Sequence, residues 1–437
     1  MPTTAAVRPF EVRTDDVLRT LDDGGQYKRL HTLLGPMGPV VRMRGEGGAD
    51  GKDHDVLCFC SNNYLGLANH PEVVEAGVEG LRKYGAGTAS VRFICGTFDC
   101  HEQLEATIAR YMGTESSYSF VSCWTANESL YPTFGEPGDC IISDELNHAC
   151  IIDGIRLAAI IKKGLHKTVY KHNDLNHLRE RLQQARDNPD VTGQVWVVTD
   201  GVFSMEGDLA DLPAIRTLCD EFEAMLVVDD SHGHGVMGPT GRGTHEHFGM
   251  CPPLPSPAPA GEVAAQPTEG ASSTFNPALG QVDFFTGTLG KALGGGAGGF
   301  IAGSKRGTEL TVQRGRPTLF SNALPCTVAC SANKAIEILL REPERVRALR
   351  DNTAYARQQI KAAGFDVLDS PTAICPIIVH DTAKAIAMSK RLLELGVFVI
   401  GFGYPVVPEG HARLRVQISA AHTTEHIDTL VDALKKL

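Results

Sequence analysis

The chain has 437 residues, 42% of them hydrophobic and 21% charged, with a formal net charge of −11. That length suits one large and one smaller globular part, the acidic balance leaves no broad basic surface for nucleic acid, and no apolar run approaches the roughly eighteen residues of a membrane span. Twelve cysteines, from Cys58 to Cys375, lack zinc-ribbon spacing, and the opening MPTTAAVRPFEVRTDD has no apolar signal core, so reduced thiols and a cytoplasmic location are expected.

From Asp15 to Leu34, apolar Val17, Leu18, Leu21, Leu30 and Leu33 sit among charges. This pattern predicts an amphipathic arm, broken at Gly24 and Gly25, that packs on a partner subunit. Between about Val56 and Ala302, short apolar runs alternate with longer amphipathic ones. SYSFVSC, DCIISD, VWVVTD, AMLVVDD and VDFFTGT read as buried strands separated by helices, the mark of a mostly parallel α/β sheet. The Pro-, Ala- and Ser-rich stretch 251–280 breaks the rhythm and is expected to be a mobile surface insertion. Beyond Asn333 a long helical pattern leads to AICPIIVH, VFVIGF and ARLRVQIS, which suits a smaller α+β domain. The expected division is an N-terminal arm over 1–57, a large domain over 58–325 and a C-terminal domain over 326–437.

Several segments of this frame carry reactive or anchoring residues. In SFVSCWTANESL a strand runs into a helix, so the amides near Cys123 and Trp124 can point at a phosphate. His148, in SDELNHACIIDG, can cover the face of an aromatic ring; a satisfied core histidine is the alternative. Ser204, in TDGVFSMEGDLADLP, can reach a ring oxygen or merely form a turn. In LVVDDSHGHG a buried strand ends at Asp229, whose carboxylate can keep a pyridine nitrogen protonated, and three residues on His232 can bond the ring's phenolic oxygen. The alternatives are a helix-capping aspartate with a surface histidine, or a metal site from His232, His234, His245 and His247, which lack helix-fixed spacing. FFTGTLGKALGGGAGGF sets Lys291 just after a strand among glycines that let backbone and ligand approach closely. Such a lysine can hold an aldehyde cofactor as a Schiff base if desolvation or a nearby cation lowers its pKa, or it can be a solvated loop lysine. Thr288, three residues earlier, offers a hydroxyl to the same phosphate. In ARLRVQISAAHT, Arg413 and Arg415 fall on one face of a strand, and an arginine fork can clamp a carboxylate. The set describes a pyridoxal 5'-phosphate (PLP) enzyme.

Taken in order, SNNYLGL, GTASVRFICGT, SDELNHA, TDGVFSMEGD, VVDDSH, TGTLGKALGG and RLRVQISAAH resemble the α-oxoamine synthases, PLP enzymes of fold type I, and the match runs from about Val56 to Thr423. The wording SVRFICGT, GTLGKALGG, RPTLFSNAL and GYPVVPEGHAR is most similar to the members that join glycine to acetyl-CoA. The resemblance implies that Lys291 holds PLP, Asp229 pairs with the pyridine nitrogen, His232 and Ser204 contact the ring oxygen, and His148 stacks on the ring. It implies phosphate contacts from the amides of Cys123 and Trp124, from Thr288, and from Ser321 of the other subunit of a homodimer. Asn62 and Arg415 would hold the substrate carboxylate, no metal would be needed, and glycine with acetyl-CoA would give 2-amino-3-oxobutanoate and CoA. Trp124 and Thr125 replace phenylalanine and aspartate of that pattern, and Gly233 and His234 replace alanine and valine, which suits an alternative oxoamine synthase for another amino acid or longer acyl-CoA. A non-catalytic partner subunit is the remaining alternative; it would not need all of Lys291, Asp229, His232 and Arg415.

Overall fold

The computed structural model describes residues 8–24, 26–45, 52–254, 280–404 and 406–437. Its strands, in chain order, are β1 (Val40–Met43), β2 (His54–Cys58), β3 (Ser116–Phe120), β4 (Cys140–Asp144), β5 (His166–Tyr170), β6 (Val195–Asp200), β7 (Met225–Asp229), β8 (Phe284–Thr288), β9 (Gly299–Gly303), β10 (Ile374–His380), β11 (Val397–Phe398), β12 (Ile400–Phe402) and β13 (Ala412–Gln417). Seven of them form one sheet in the order β3-β9-β8-β7-β6-β4-β5. Neighbours run parallel except at β9, which is antiparallel to both β3 and β8. The apolar runs of β6 and β7 are buried on both faces, as expected when helices cover a parallel sheet on each side. All five residues of β4, Cys140 to Asp144, are likewise buried.

Open α/β sheets bind ligands at the carboxyl ends of their strands, and here the central strands end in polar residues. Asp200 on β6 lies beside Asp229 on β7, and Asp229 beside Thr286 on β8, so register alone brings these side chains to one level. Beyond β3, Ser122 caps the helix Cys123–Phe134, its side chain accepting from the Thr125 amide at 3.1 Å. Gly299 of β9 packs against that helix start, and a Cβ there would sit 2.2 Å from the Cys123 nitrogen. The expected result of Gly299→Ala is therefore a displaced helix N-terminus, a loss of about 1–3 kcal/mol of stability and weakened phosphate binding. Thermal unfolding and equilibrium dialysis against PLP measure both; a variant unchanged in each would refute the packing argument.

Two three-stranded sheets complete the fold, β1-β2-β11 and β10-β13-β12. The run VFVIGF does not form one strand, because residues 397–398 pair with β2 while residues 400–402 pair with β13. The arm helix spans Pro9–Asp23, beginning six residues before the expected start, with Pro9 in its first turn and the Arg8 amide bonded to Glu11 at 2.8 Å. None of its residues is buried within this chain. Gly25 and most of the 251–280 insertion, residues 255–279, lie outside the described residues. No helix among the described residues is long and apolar enough to cross a membrane.

Candidate active site

Asp229 ends β7 and is 3% exposed. Its Oδ2 accepts from Asn127 Nδ2 at 2.7 Å, Thr286 Oγ1 at 2.8 Å and Cys123 Sγ at 3.3 Å, and its Oδ1 accepts from the Ser231 amide at 3.0 Å. Burial pushes its pKa up, but the donors at Ser231, Asn127 and Thr286 and the charge of Lys291 outweigh it and hold the carboxyl at about 2. Its neighbour Asp200 goes the other way: burial first, and then the Asp229 charge, raise it well above the usual range. The two adjacent acids are thus pushed in opposite directions, Asp229 down and Asp200 up.

Lys291 follows β8 by three residues, on a segment whose Gly294, Gly295 and Gly298 have positive φ. At Gly295 a Cβ would lie 2.7 Å from the Ala68 Cβ, so the turn needs glycine there. Desolvation lowers the Lys291 pKa, opposed by the charge of Asp229, which moves it toward the free amine that a Schiff-base lysine requires. Its charge acts on His232 and His148, and that of Arg415 acts on it.

His232 is buried, and burial followed by the charges of Lys291 and Arg415 drives its pKa well below the usual value. The ring is therefore neutral, and its Nδ1 meets the Tyr64 hydroxyl at 2.9 Å. Gln417 Nε2 donates to that hydroxyl at 2.9 Å and to Asn62 Oδ1 at 2.5 Å. Asn62 and His232 are thus joined through Tyr64 and Gln417. Arg415 is 8% exposed, and its Nε and Nη2 are buried without a partner. Arg413, two residues away, is spent instead on the Met205 carbonyl at 2.9 Å and Glu206 at 3.2 Å.

The amides of Cys123 and Trp124 open the helix Cys123–Phe134. Trp124 packs edge-on to His148, with ring centroids 6.3 Å apart. His148 caps the helix Ala149–Ile161, its Nδ1 accepting from the Cys150 amide at 3.2 Å and its own amide donating to Asp200 at 2.9 Å. Thr288 Oγ1 accepts from the Gly290 amide at 3.1 Å. Ser321 stands apart, following the helix Arg316–Phe320 and lining a small cavity with Arg92, Tyr118 and Thr125.

Ser204 lies on the turn 203–209, which is clamped on both sides. His172 bonds Asp144 at 3.1 Å and Asp208 at 2.9 Å, while the hydroxyls of Ser370 and Thr372 bond the Gly207 carbonyl. Burial lowers the His172 pKa, but the two carboxylates prevail and raise it to about 10 from 6.5. A histidine with a raised folded pKa stabilises the fold fully below its unfolded pKa and loses that contribution as pH climbs through the folded one. Stability should therefore fall between pH 6.5 and about 10, and His172→Gln should flatten that part of a plot of melting temperature against pH. An unaltered slope would remove the clamp from the account.

The four histidines offered as a metal site do not gather. His234 packs on Phe300 and Tyr111, and His245 on Phe285. The metal-capable group found among the described residues is Cys100, His101 and Cys326, where both His101 nitrogens already bond backbone, at Phe98 and Leu324. Sequence reasoning missed Asn127, Thr286, Tyr64 and Gln417. Periodicity pointed to two of them, since Thr286 shares a strand face with Thr288, and Gln417 with Arg415.

The donor set fits PLP: a buried anion for a pyridinium, a lysine of lowered pKa for the aldehyde, helix-start amides for the phosphate and a guanidinium with two unpartnered buried nitrogens for a substrate carboxylate. Residues 54–434 match the family model for aminotransferase class I and II. The chain is 40% identical over 416 residues to human 2-amino-3-ketobutyrate coenzyme A ligase, mitochondrial, covering 95% of this chain and 89% of that one. It is also 40% identical over 420 residues to 8-amino-7-oxononanoate synthase of Alkaliphilus oremlandii, covering 96% and 95%. A solved structure of SPT with PLP superposes with a TM-score of 0.83 at 27% identity, covering 98% of each chain. The chain belongs to the aminotransferase class I and II family of PLP-dependent enzymes, in its α-oxoamine synthase branch.

Proposed function

We propose that this protein condenses glycine with acetyl-CoA, giving 2-amino-3-oxobutanoate and CoA, a reversible C-acyl transfer of threonine and glycine metabolism. The observation that carries the reading is Arg415, whose two unpartnered buried donors stand within electrostatic reach of Lys291. Bound PLP would supply a protonated ring able to take up the electron pair left when the substrate's α-carbon loses a proton. Arg415 and Asn62 hold the substrate carboxylate, so that the bond to be broken is oriented before the chemistry begins. The Lys291 amine, which would hold the cofactor, would also be the group placed to accept the α-proton. Asp229 would keep the ring nitrogen protonated, neutral His232 and Ser204 would bond the ring oxygen, and His148 would cover the ring face. The amides of Cys123 and Trp124, with Thr288 and Ser321 across a homodimer, would hold the phosphate. A cytoplasmic homodimer is the assembly proposed.

A second reading is supported by His234 and Gly233 and by the equally similar 8-amino-7-oxononanoate synthase: the same chemistry with another amino acid or a longer acyl-CoA. Release of free CoA by the PLP-loaded protein, with a panel of amino acids and acyl-CoAs, tests both. Release with glycine and acetyl-CoA supports the first reading, and release only with another pair replaces it with the second.

A further inference from the structure

Cys58 ends β2, and Cys60 follows on the bend that leads to Asn62. Their sulfurs are 3.9 Å apart. Cys58 is 3% exposed, whereas Cys60 is only partly buried, so a small oxidant can approach from the Cys60 side. The chain between them is tied to the site: the Phe59 carbonyl accepts from the Gln417 amide at 2.8 Å, and Gln417 holds Asn62 and Tyr64. The charge of Arg415 acts directly on Cys60.

We propose that Cys58 and Cys60 are a redox-sensitive dithiol that a small hydroperoxide closes to a disulfide, and that closure weakens binding of the substrate carboxylate at Asn62 and Arg415. The second half rests on the acyltransferase reading above. In the first step the Cys58 thiolate attacks the peroxide, the O–O bond breaks, the departing hydroxide takes up the proton that the thiol released and leaves as water, and a sulfenic acid forms. Cys60 then attacks that sulfur, the S–S bond forms and a second water leaves, so two electrons pass from the two thiols to the peroxide. Donation from Cys60 holds Cys58 at about 6 against the upward push of burial, which supplies the nucleophilic thiolate at neutral pH. Bonding draws the sulfurs from 3.9 Å to about 2.0 Å. The movement falls two residues from Asn62 and beside Arg415.

The test treats PLP-loaded protein with hydrogen peroxide, quenches it and digests with trypsin. The peptide 53–82 contains these two cysteines and no other. The expected result is a peptide lighter by two hydrogens, restored by dithiothreitol, together with a reversible rise of about tenfold in the amino-acid KM, within the usual range of site couplings. Cys58→Ser and Cys60→Ser should each stay active and lose that rise. A peptide that remains a dithiol, a disulfide that leaves KM unchanged, or serine variants as sensitive as the parent would each overturn the proposal. The peptide mass reports on the disulfide whether or not any acyl-CoA turns over, so failure here is distinguishable from failure of the activity reading.

Discussion

Lys291→Ala is expected to lower CoA release by at least about 10²–10⁴-fold, the contribution of a positioned general base, with further loss because the anchoring amine is gone. The variant should fold, since Lys291 makes no side-chain hydrogen bond among the described residues, and its removal relieves a desolvated amine. Melting temperature separates the two effects: a large fall in turnover with little change in unfolding places Lys291 in the chemistry. A fall of less than tenfold would assign the proton transfer to another group, and the neutral His232 would be the first to examine.

Asp229→Asn is expected to cost about 10²–10³-fold in turnover, the scale seen when one preorganised electrostatic partner of a reacting centre is removed. Asparagine keeps the shape but loses the charge, and its amide nitrogen would face donors at Asn127, Thr286 or Cys123 that the carboxylate now accepts. The substitution should also lower the Asp200 pKa, because the Asp229 charge helps to raise it, and raise the cofactor's dissociation constant. Turnover within tenfold of the parent would show that the ring does not depend on this carboxylate.

Much of this arrangement is legible in the sequence because it is local. A buried apolar run ending in an acid gives β7 and Asp229, and a strand followed by a glycine-flanked lysine gives β8 and Lys291. β9 is harder to read, since GFIAG looks like the tail of a glycine loop. Its glycines serve packing, and Gly299 is small so that the Cys123 amide can come close. β5, HKTVY, is half-buried with a polar alternation and is easily taken for a loop. Arg413 and Arg415 share a face and a residue type, yet they part company because Glu206, distant in sequence, claims Arg413. Nothing in the local spacing of ARLRVQIS reveals that partner. The Tyr64 link to His232 is lost for the same reason, because it joins residues 168 positions apart.

The turn 203–209 bonds to both halves of the molecule: Asp208 to His172, which Asp144 also holds, on the side of the large sheet, and Met205 and Gly207 to Arg413, Ser370 and Thr372 on the side of the C-terminal layer. Arg413 and Arg415 ride on the same strand, β13, so the strand that presents Arg415 is itself fastened to the turn that carries Ser204. The turn is therefore a tie-rod between the two layers, and it fixes where Ser204 stands relative to the strand that carries Arg415.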